Sequence, residues 1–251
     1  MDLIRRLFTA ALVAGVLSGT AASVVQQATT VPLILEAEKY EVVTPPPAPA
    51  GAPAASHQHG PVREVGEGVP TTLDEAMQRI GLTIASNLLT GVAYALLLSA
   101  AMLLAGRPVD ARRGLVWGAG GFVAVSLAPS FGLPPELPGM AGADLELRQL
   151  WWLAAAAGAG VGMAALAFAR NRLVIAAAVL AAALPHLVGA PHPESAEGAV
   201  PPELAAHFVT ASLGSAALFW AILGAACGWL MSGLVGEAEH RPALRPQPGA
   251  R

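Results

Sequence analysis

The chain has 251 residues, 55% of them hydrophobic and only 12% charged, with a formal net charge of −3. That charged share is about half of what a soluble globular domain carries, and a mean hydropathy of +0.57 excludes a disordered chain and argues against an ordinary cytosolic enzyme. The small net charge predicts no nucleic-acid partner, and the single cysteine, Cys227, excludes an intrachain disulfide framework or a CxxC metal site. The expected solvent is therefore a lipid bilayer.

Six apolar runs follow in chain order, each at least 18 residues long and free of Asp, Glu, Lys and Arg. They cover 7–25 (with a continuation over 31–35), 82–104, 114–133, 150–169, 173–190 and 208–230. Crossing a ~30 Å hydrocarbon core takes roughly 20 apolar residues in a helix, so the expected fold class is an all-α polytopic transmembrane helix bundle. About six spans are expected, or five if the first run or the short fifth run, which carries Pro185, does not count as a span. The fourth and fifth runs meet at Arg170-Asn171-Arg172, which predicts a tight hairpin. The expected organisation is a first span within 1–35, a Pro-rich outer loop over 36–80, a five-helix bundle over 81–231 and a disordered inner tail over 232–251. The first run has a competing reading as a secretory signal peptide, since Arg5 and Arg6 precede it and small residues follow at 20–23. Its apolar length exceeds the ~7–15 residues of such a segment, which favours a retained helix.

Charge predicts the orientation. With the N-terminus inside and six alternating spans, 10 of the 14 basic residues face the cytoplasm and only Lys39, Arg63, Arg79 and Arg148 lie outside. Basic residues favour the cytoplasmic side, so both termini are expected there. The acids distribute the other way, with 13 of 17 outside. Such a face concentrates cations by electrostatic focusing, although acids also serve simply to solubilise loops.

The outer loop opens with Glu36, Glu38 and Glu41, passes through Pro45-Pro46-Pro47-Ala48-Pro49, an extended polyproline-type linker, and reaches His57-Gln58-His59. Two imidazoles in an x-spaced pair meet one ion only from an extended or turn backbone, and imidazole suits zinc, copper, iron and nickel, with cobalt within the same series. The same pair also reads as two unrelated side chains in a solvated linker. His186, His192 and His207 fall on the same side, and His240 falls in the inner tail. The window 132–140 holds three prolines and two glycines, which excludes a regular helix and predicts a rigid turn presenting Glu136. Trp151 and Trp152 beyond it are expected as interfacial anchors.

Within the runs, Gly15/Gly19, Gly114/Gly118 and Gly224/Gly228 fit the small-xxx-small pattern of closely packed membrane helices. The polar residues most suited to line a path are Gln26, Gln27 and Asn87. No carboxylate lies deep in a run, against the needs of a proton- or sodium-coupled antiporter. No phosphate-binding glycine loop, nucleophile–histidine–acid set or His-Glu-x-x-His motif is present. No enzyme and no permanently bound cofactor is therefore expected.

Four segments together resemble a known family. The stretches 24–27 (VVQQ) with 31–38 (VPLILEAE), 87–91 (NLLTG), 132–139 (GLPPELPG) with 148–152 (RQLWW), and 184–191 (LPHLVGAP) resemble, in order, the helices and signatures of the CbtA family, predicted cobalt transporter subunits of bacteria. The resemblance implies cobalt uptake that feeds cobalamin synthesis, a bacterial inner-membrane location and a small His-containing membrane partner, CbtB. It implies about five spans, one fewer than hydropathy gives. The family's outer loop is often rich in histidine, whereas this one keeps His57 and His59.

The expected mechanism follows. An acidic mouth concentrates a cobalt ion, and His57, His59, His186 and His192 with Glu36, Glu38 and Glu136 offer transient ligands. Gln26, Gln27 and Asn87 then pass the ion through the bundle. Weak multiple sites suit permeation, since a tightly held ion does not leave. The rival readings are a scaffold or assembly subunit that transports nothing, and a redox subunit with His186 and His207 as haem ligands. A homo-oligomer is compatible with all of these.

Overall fold

The computed structural model describes residues 2–41, 72–193 and 199–239. Every regular element among them is helical. In chain order these are α1 (Asp2–Ala28), α2 (Thr30–Glu41), α3 (Leu73–Leu104), α4 (Ala111–Gly121), a π-helical segment (Phe122–Leu127), α5 (Ala128–Ser130), α6 (Leu145–Phe168), α7 (Arg172–Val188) and α8 (Pro202–Glu239). Four helices are long and apolar enough to cross a membrane: Ile4–Ala28, Leu73–Leu104, Leu145–Phe168 and Pro202–Ser232. The apolar window of α6 is only 17% buried within the chain, so most of that surface needs an apolar solvent. The 114–133 run becomes the α4, π and α5 segments, and the 173–190 run becomes the 17-residue α7.

Several boundaries differ from expectation. Residues 36–41 and 73–80, expected in a loop, are helical in α2 and α3, and α8 continues to Glu239, past the expected start of the tail at 232. At α3 the reason is a capping box. Thr72 Oγ1 accepts from the Glu75 amide (3.2 Å) while the Glu75 carboxylate accepts from the Thr72 amide (3.3 Å), which satisfies two donors at the helix start. The Thr72-Leu73-Asp74-Glu75 spacing carried that signal in the sequence.

The π segment ends two residues before Pro129, which is fully buried. A proline cannot donate to the carbonyl four residues back, and its ring collides with that carbonyl. The wider π winding carries the carbonyls past this point without ending the helix.

The chain divides into two compact units. The first comprises Met1–Ala22, Ile84–Phe122 and Ala217–Arg251, and the second comprises Ser23–Thr83 and Val123–Ala216. The first unit is built on glycine contacts. A Cβ on Gly91 of α3 would lie 2.3 Å from the Gly15 carbonyl oxygen of α1, and one on Gly19 would lie 2.6 Å from that of Asn87. A Cβ on Gly114 of α4 would lie 2.2 Å from the Gly224 carbonyl oxygen of α8, and one on Gly224 would lie 2.4 Å from that of Gly114. Any side chain there would force the backbones apart, so the three small-xxx-small pairs do serve close helix approach. Tyr94, Phe219 and Trp220 form an aromatic group beside them, with the Trp220 ring laid over Gly121.

The second unit packs α6 against α7 through Gly158 and Gly162, which face Ala181, Ala182 and Ala178. The expected hairpin is present: Asn171 caps α7 by accepting from the Leu173 amide at 2.9 Å. A small core joins Ala37 of α2, Leu137 of the proline-rich turn and Phe208 of α8, with Leu33, Ile34, Met140 and Leu204 against it.

Candidate functional site

The second unit gathers most of the described residues singled out from the sequence. The window 132–140 is irregular as expected, within a non-helical segment that runs over 131–144, and Glu136 and Leu137 project in different ways. Leu137 is buried in the small core, whereas Glu136 accepts from Arg148 Nη2 of α6 at 2.5 Å. Gly142 makes room for that ion pair. A Cβ there would lie 3.0 Å from Arg148 Nη1 and 3.7 Å from the Glu136 carboxylate.

One turn along α6 from Arg148 sits Trp151. Its indole Nε1–H donates to the Pro185 carbonyl of α7 at 2.9 Å, its ring meets the His186 ring edge-on at a centroid distance of 5.4 Å, and Gly132 lies directly against its six-membered ring. A Cβ on Gly132 would come within 2.4 Å of that ring and 2.8 Å of the Ala190 methyl. Trp151 is therefore a buried tether between the turn and α7, not the interfacial anchor expected from sequence. Trp152, at 36% exposed, keeps the outward position. Pro185 and Gly189 complete the arrangement. The Pro185 carbonyl also accepts from the Gly189 amide, closing α7, and Gly189 turns the chain at a φ of +91°, which a side chain would strain.

Glu38 is nearly buried and is held by both terminal nitrogens of Arg79 from α3, one at 3.2 Å and the other closer still. Glu36 is paired with Lys39 one turn along α2 at 2.5 Å. All three carboxylates named as ligands thus have a basic partner. His186, His192 and His207 are exposed. His57 and His59 lie outside the described residues, as do His240 and the polyproline linker. Gln26 and Gln27 are half-buried at the end of α1 in the second unit, and Asn87 is half-buried in the first. Within the second unit, Thr29 and Ser215 place their hydroxyls 3.4 Å apart.

Among the described residues, no three His, Cys, Asp or Glu side chains are grouped closely enough to hold a metal ion. The sequence signal that locates this region lies in the separated stretches 132–139, 148–152 and 184–191. They meet at Gly132, Trp151 and Pro185-His186.

A family model described as "Probable cobalt transporter subunit (CbtA)" matches residues 4–232. The chain belongs to the CbtA family. No curated protein and no solved structure matches it. As a member of a family described as transporter subunits, with four helices suited to a bilayer, the CbtA chain is a membrane protein expected to work within a complex.

Proposed function

We propose that this chain is the membrane-embedded subunit of a cobalt uptake transporter in a bacterial inner membrane, and that the region around Trp151 and His186 belongs to its outer mouth. The observation that carries this reading is the meeting of three sequence-distant segments at one exposed imidazole. A buried tryptophan, a proline carbonyl and a positive-φ glycine all fix the backbone beneath His186. So much positioning beneath an exposed histidine exceeds what a solvent-facing helix end needs.

In this reading six segments cross the membrane, the winding α4–π–α5 stretch and α7 among them, and both termini are cytoplasmic. A 17-residue α7 spans about 26 Å at the usual rise, short enough to require its flanking Gly189–Pro191 turn within the interface. The acidic outer side concentrates the divalent ion. His57 and His59 on the loop, together with His186 and His192, offer imidazole nitrogen, which suits cobalt. Glu38 and Glu136 are neutralised by Arg79 and Arg148, so they become ligands only when an arriving cation displaces the arginine. Glu36, with a partly exposed pair, yields more easily. Each contact is weak, as passage requires. Gln26, Gln27 and Asn87 serve as the polar steps beyond. The partner is a small His-bearing membrane subunit of the CbtB type, and cobalt is the cargo, destined for cobalamin synthesis.

The test is radioactive cobalt uptake in cells expressing the chain alone, with the partner subunit, or neither, with nickel and zinc as competitors. Uptake that requires the chain, and that drops when His186→Ala replaces the wild type at equal membrane abundance, is the expected outcome. Uptake indifferent to His186 removes that residue from the path. No uptake in any combination moves the assignment to a scaffold subunit that stabilises its partner. A Soret band in the purified protein would instead favour haem ligation by His186 and His207.

A further inference from the structure

The first apolar run does not form one unbroken helix. Residue 29 separates α1, which ends at Ala28, from α2, which begins at Thr30. Pro32, in the first turn of α2, is the cause. It has no N–H, so the Ala28 carbonyl four residues back loses the amide that would close its turn. The Thr29 amide is shared between the Val25 and Gln26 carbonyls, at 3.0 and 3.3 Å. The interruption falls between two apolar stretches, 7–25 and 31–35. Irregular backbone at such a place is tolerated where protein covers it or where it lines a polar path.

Three hydroxyls gather there, all within the second unit. Thr29 Oγ1 donates to the Val25 carbonyl at 2.8 Å, and Thr30 Oγ1 donates to the Gln26 carbonyl at 3.3 Å. Ser215 Oγ comes in from α8 and lies 3.4 Å from Thr29 Oγ1. Because the Thr29 proton goes to Val25, Ser215 is the donor in that pair. A hydroxyl oxygen also has two lone pairs that accept. Among the described residues, no donor reaches those of Thr30 or Ser215, although the two residues are only 7% and 4% exposed. Both contacts also exceed the about 2.5–3.0 Å usual for O–H···O. The break is thus supplied with acceptors and short of donors, the arrangement that a cation completes.

Charge and donor type decide which cation. The carbonyl end of α1 is the negative end of its helix dipole. No Asp or Glu occurs over 3–35 or 204–236, and Glu36 and Glu38 further along α2 are already paired with Lys39 and Arg79. Every available ligand is therefore a neutral oxygen. Such ligands suit hard cations, and no imidazole or sulfur is present to favour a transition metal. A buried divalent ion would keep two uncompensated charges, whereas a monovalent ion keeps one, at a much smaller desolvation cost. Thr29 and Ala28 are exposed and leave one side open to entry, while Thr30 and Ser215 close the other.

We propose that the α1–α2 break is a binding site for a hard monovalent cation of the sodium class. Thr29 Oγ1, Thr30 Oγ1, Ser215 Oγ and the Ala28 carbonyl are its ligands. Binding turns hydroxyl lone pairs toward the ion and releases no proton. The site is separate from the histidines of the outer mouth and does not rest on cobalt as cargo. Sodium binding is measured without cobalt, so this proposal and the transport reading fail independently.

The experiment measures binding of radioactive sodium to the purified full-length chain in detergent, with thermal unfolding in sodium chloride against choline chloride at equal ionic strength. Saturable binding of one ion per chain, and a rise in unfolding temperature confined to sodium, are expected. Thr29→Val and Ser215→Ala should each weaken binding about tenfold or more, the scale of one lost polar contact to a charge. Thr9→Val removes an exposed hydroxyl that donates to the Arg5 carbonyl elsewhere on α1, and it should bind sodium like the unsubstituted chain. Absence of saturable binding in the unsubstituted protein overturns the proposal without recourse to any variant. Equal stabilisation by choline chloride, or displacement of the label by cobalt chloride at equal ionic strength, also overturns it. So does sodium binding that survives unchanged in folded Thr29→Val and Ser215→Ala proteins.

Discussion

The two units of this chain are held together by different chemistry. The first relies on backbone meeting backbone. Gly15 and Gly19 seat α1 on α3, and Gly114 and Gly118 interlock with Gly224 and Gly228. The second relies on side chains that reach across loops: Arg79 to Glu38, Arg148 to Glu136, and Trp151 to Pro185 and His186. Glycine crossings suit a lipid setting, where no hydrophobic force drives helix association and close packing must do so. Directional polar contacts suit the unit that carries the exposed histidines, since such contacts hold a side chain's supporting backbone in one geometry.

The sharpest way to break this contrast is a bulky residue in the first unit. Gly224→Leu would drive its side chain into the Gly114 backbone, so no stable folded protein is expected. Loss of the monodisperse peak in detergent size-exclusion would show this, whereas a folded Gly224→Leu protein would mean that the crossing is not as close as described.

In the second unit, Trp151→Ala should cost about 3–5 kcal/mol, the range for deleting a buried aromatic side chain. Trp151→Phe, which keeps most of the ring but loses the indole donor to Pro185, should cost about 1–2 kcal/mol. Thermal unfolding in detergent measures both. If the two variants unfold alike, the hydrogen bond rather than the packing dominates.

A smaller effect is expected at the ion pairs. Glu136→Gln leaves Arg148 without its charge partner in a part-exposed setting, and a loss of about 1 kcal/mol is expected. The charge-reversed double variant Glu136→Arg/Arg148→Glu should recover part of it. Absence of any recovery would show that Gly142 and the turn, not charge attraction, set this contact.

The smallest effect is the control for the glycine argument. Gly120 has open space where a Cβ would go, so Gly120→Ala in α4 should leave the fold intact and stabilise it by up to about 1 kcal/mol through helix propensity. Destabilisation there would mean that glycine on this helix serves something other than backbone approach.

Much of the architecture was legible in the sequence because apolar length and glycine spacing are local properties. The small-xxx-small pairs predicted close crossings, and prolines at 134, 135 and 138 predicted an irregular turn. The ends of elements were less legible. Residues 73–80 read as loop because Asp74, Glu75 and Arg79 interrupt the apolar pattern, although the Thr72/Glu75 capping box marks a helix start. Trp151 departs from its sequence expectation for a related reason. An indole at a span boundary fits an interface anchor, and only its contact with Pro185, 34 residues on, shows otherwise.

The candidate site follows the same division. The sequence supplied the exposed histidines and the carboxylates Glu36, Glu38 and Glu136, but it carried no sign that Glu38 and Glu136 are matched with Arg79 and Arg148. Those partners lie 41 and 12 residues away, and nothing in the local pattern distinguishes a paired carboxylate from a solvated one.

By itself, then, the sequence determined an all-helical chain suited to a bilayer, the glycine pairs that let its helices touch, and the family to which it belongs. Composition and spacing set these because hydrophobic length and the absence of a Cβ act where they stand. The tertiary structure alone decided which glycine meets which and that the three separated signatures share one tryptophan. Such pairings depend on helices distant in sequence being brought together, and no local rule fixes them.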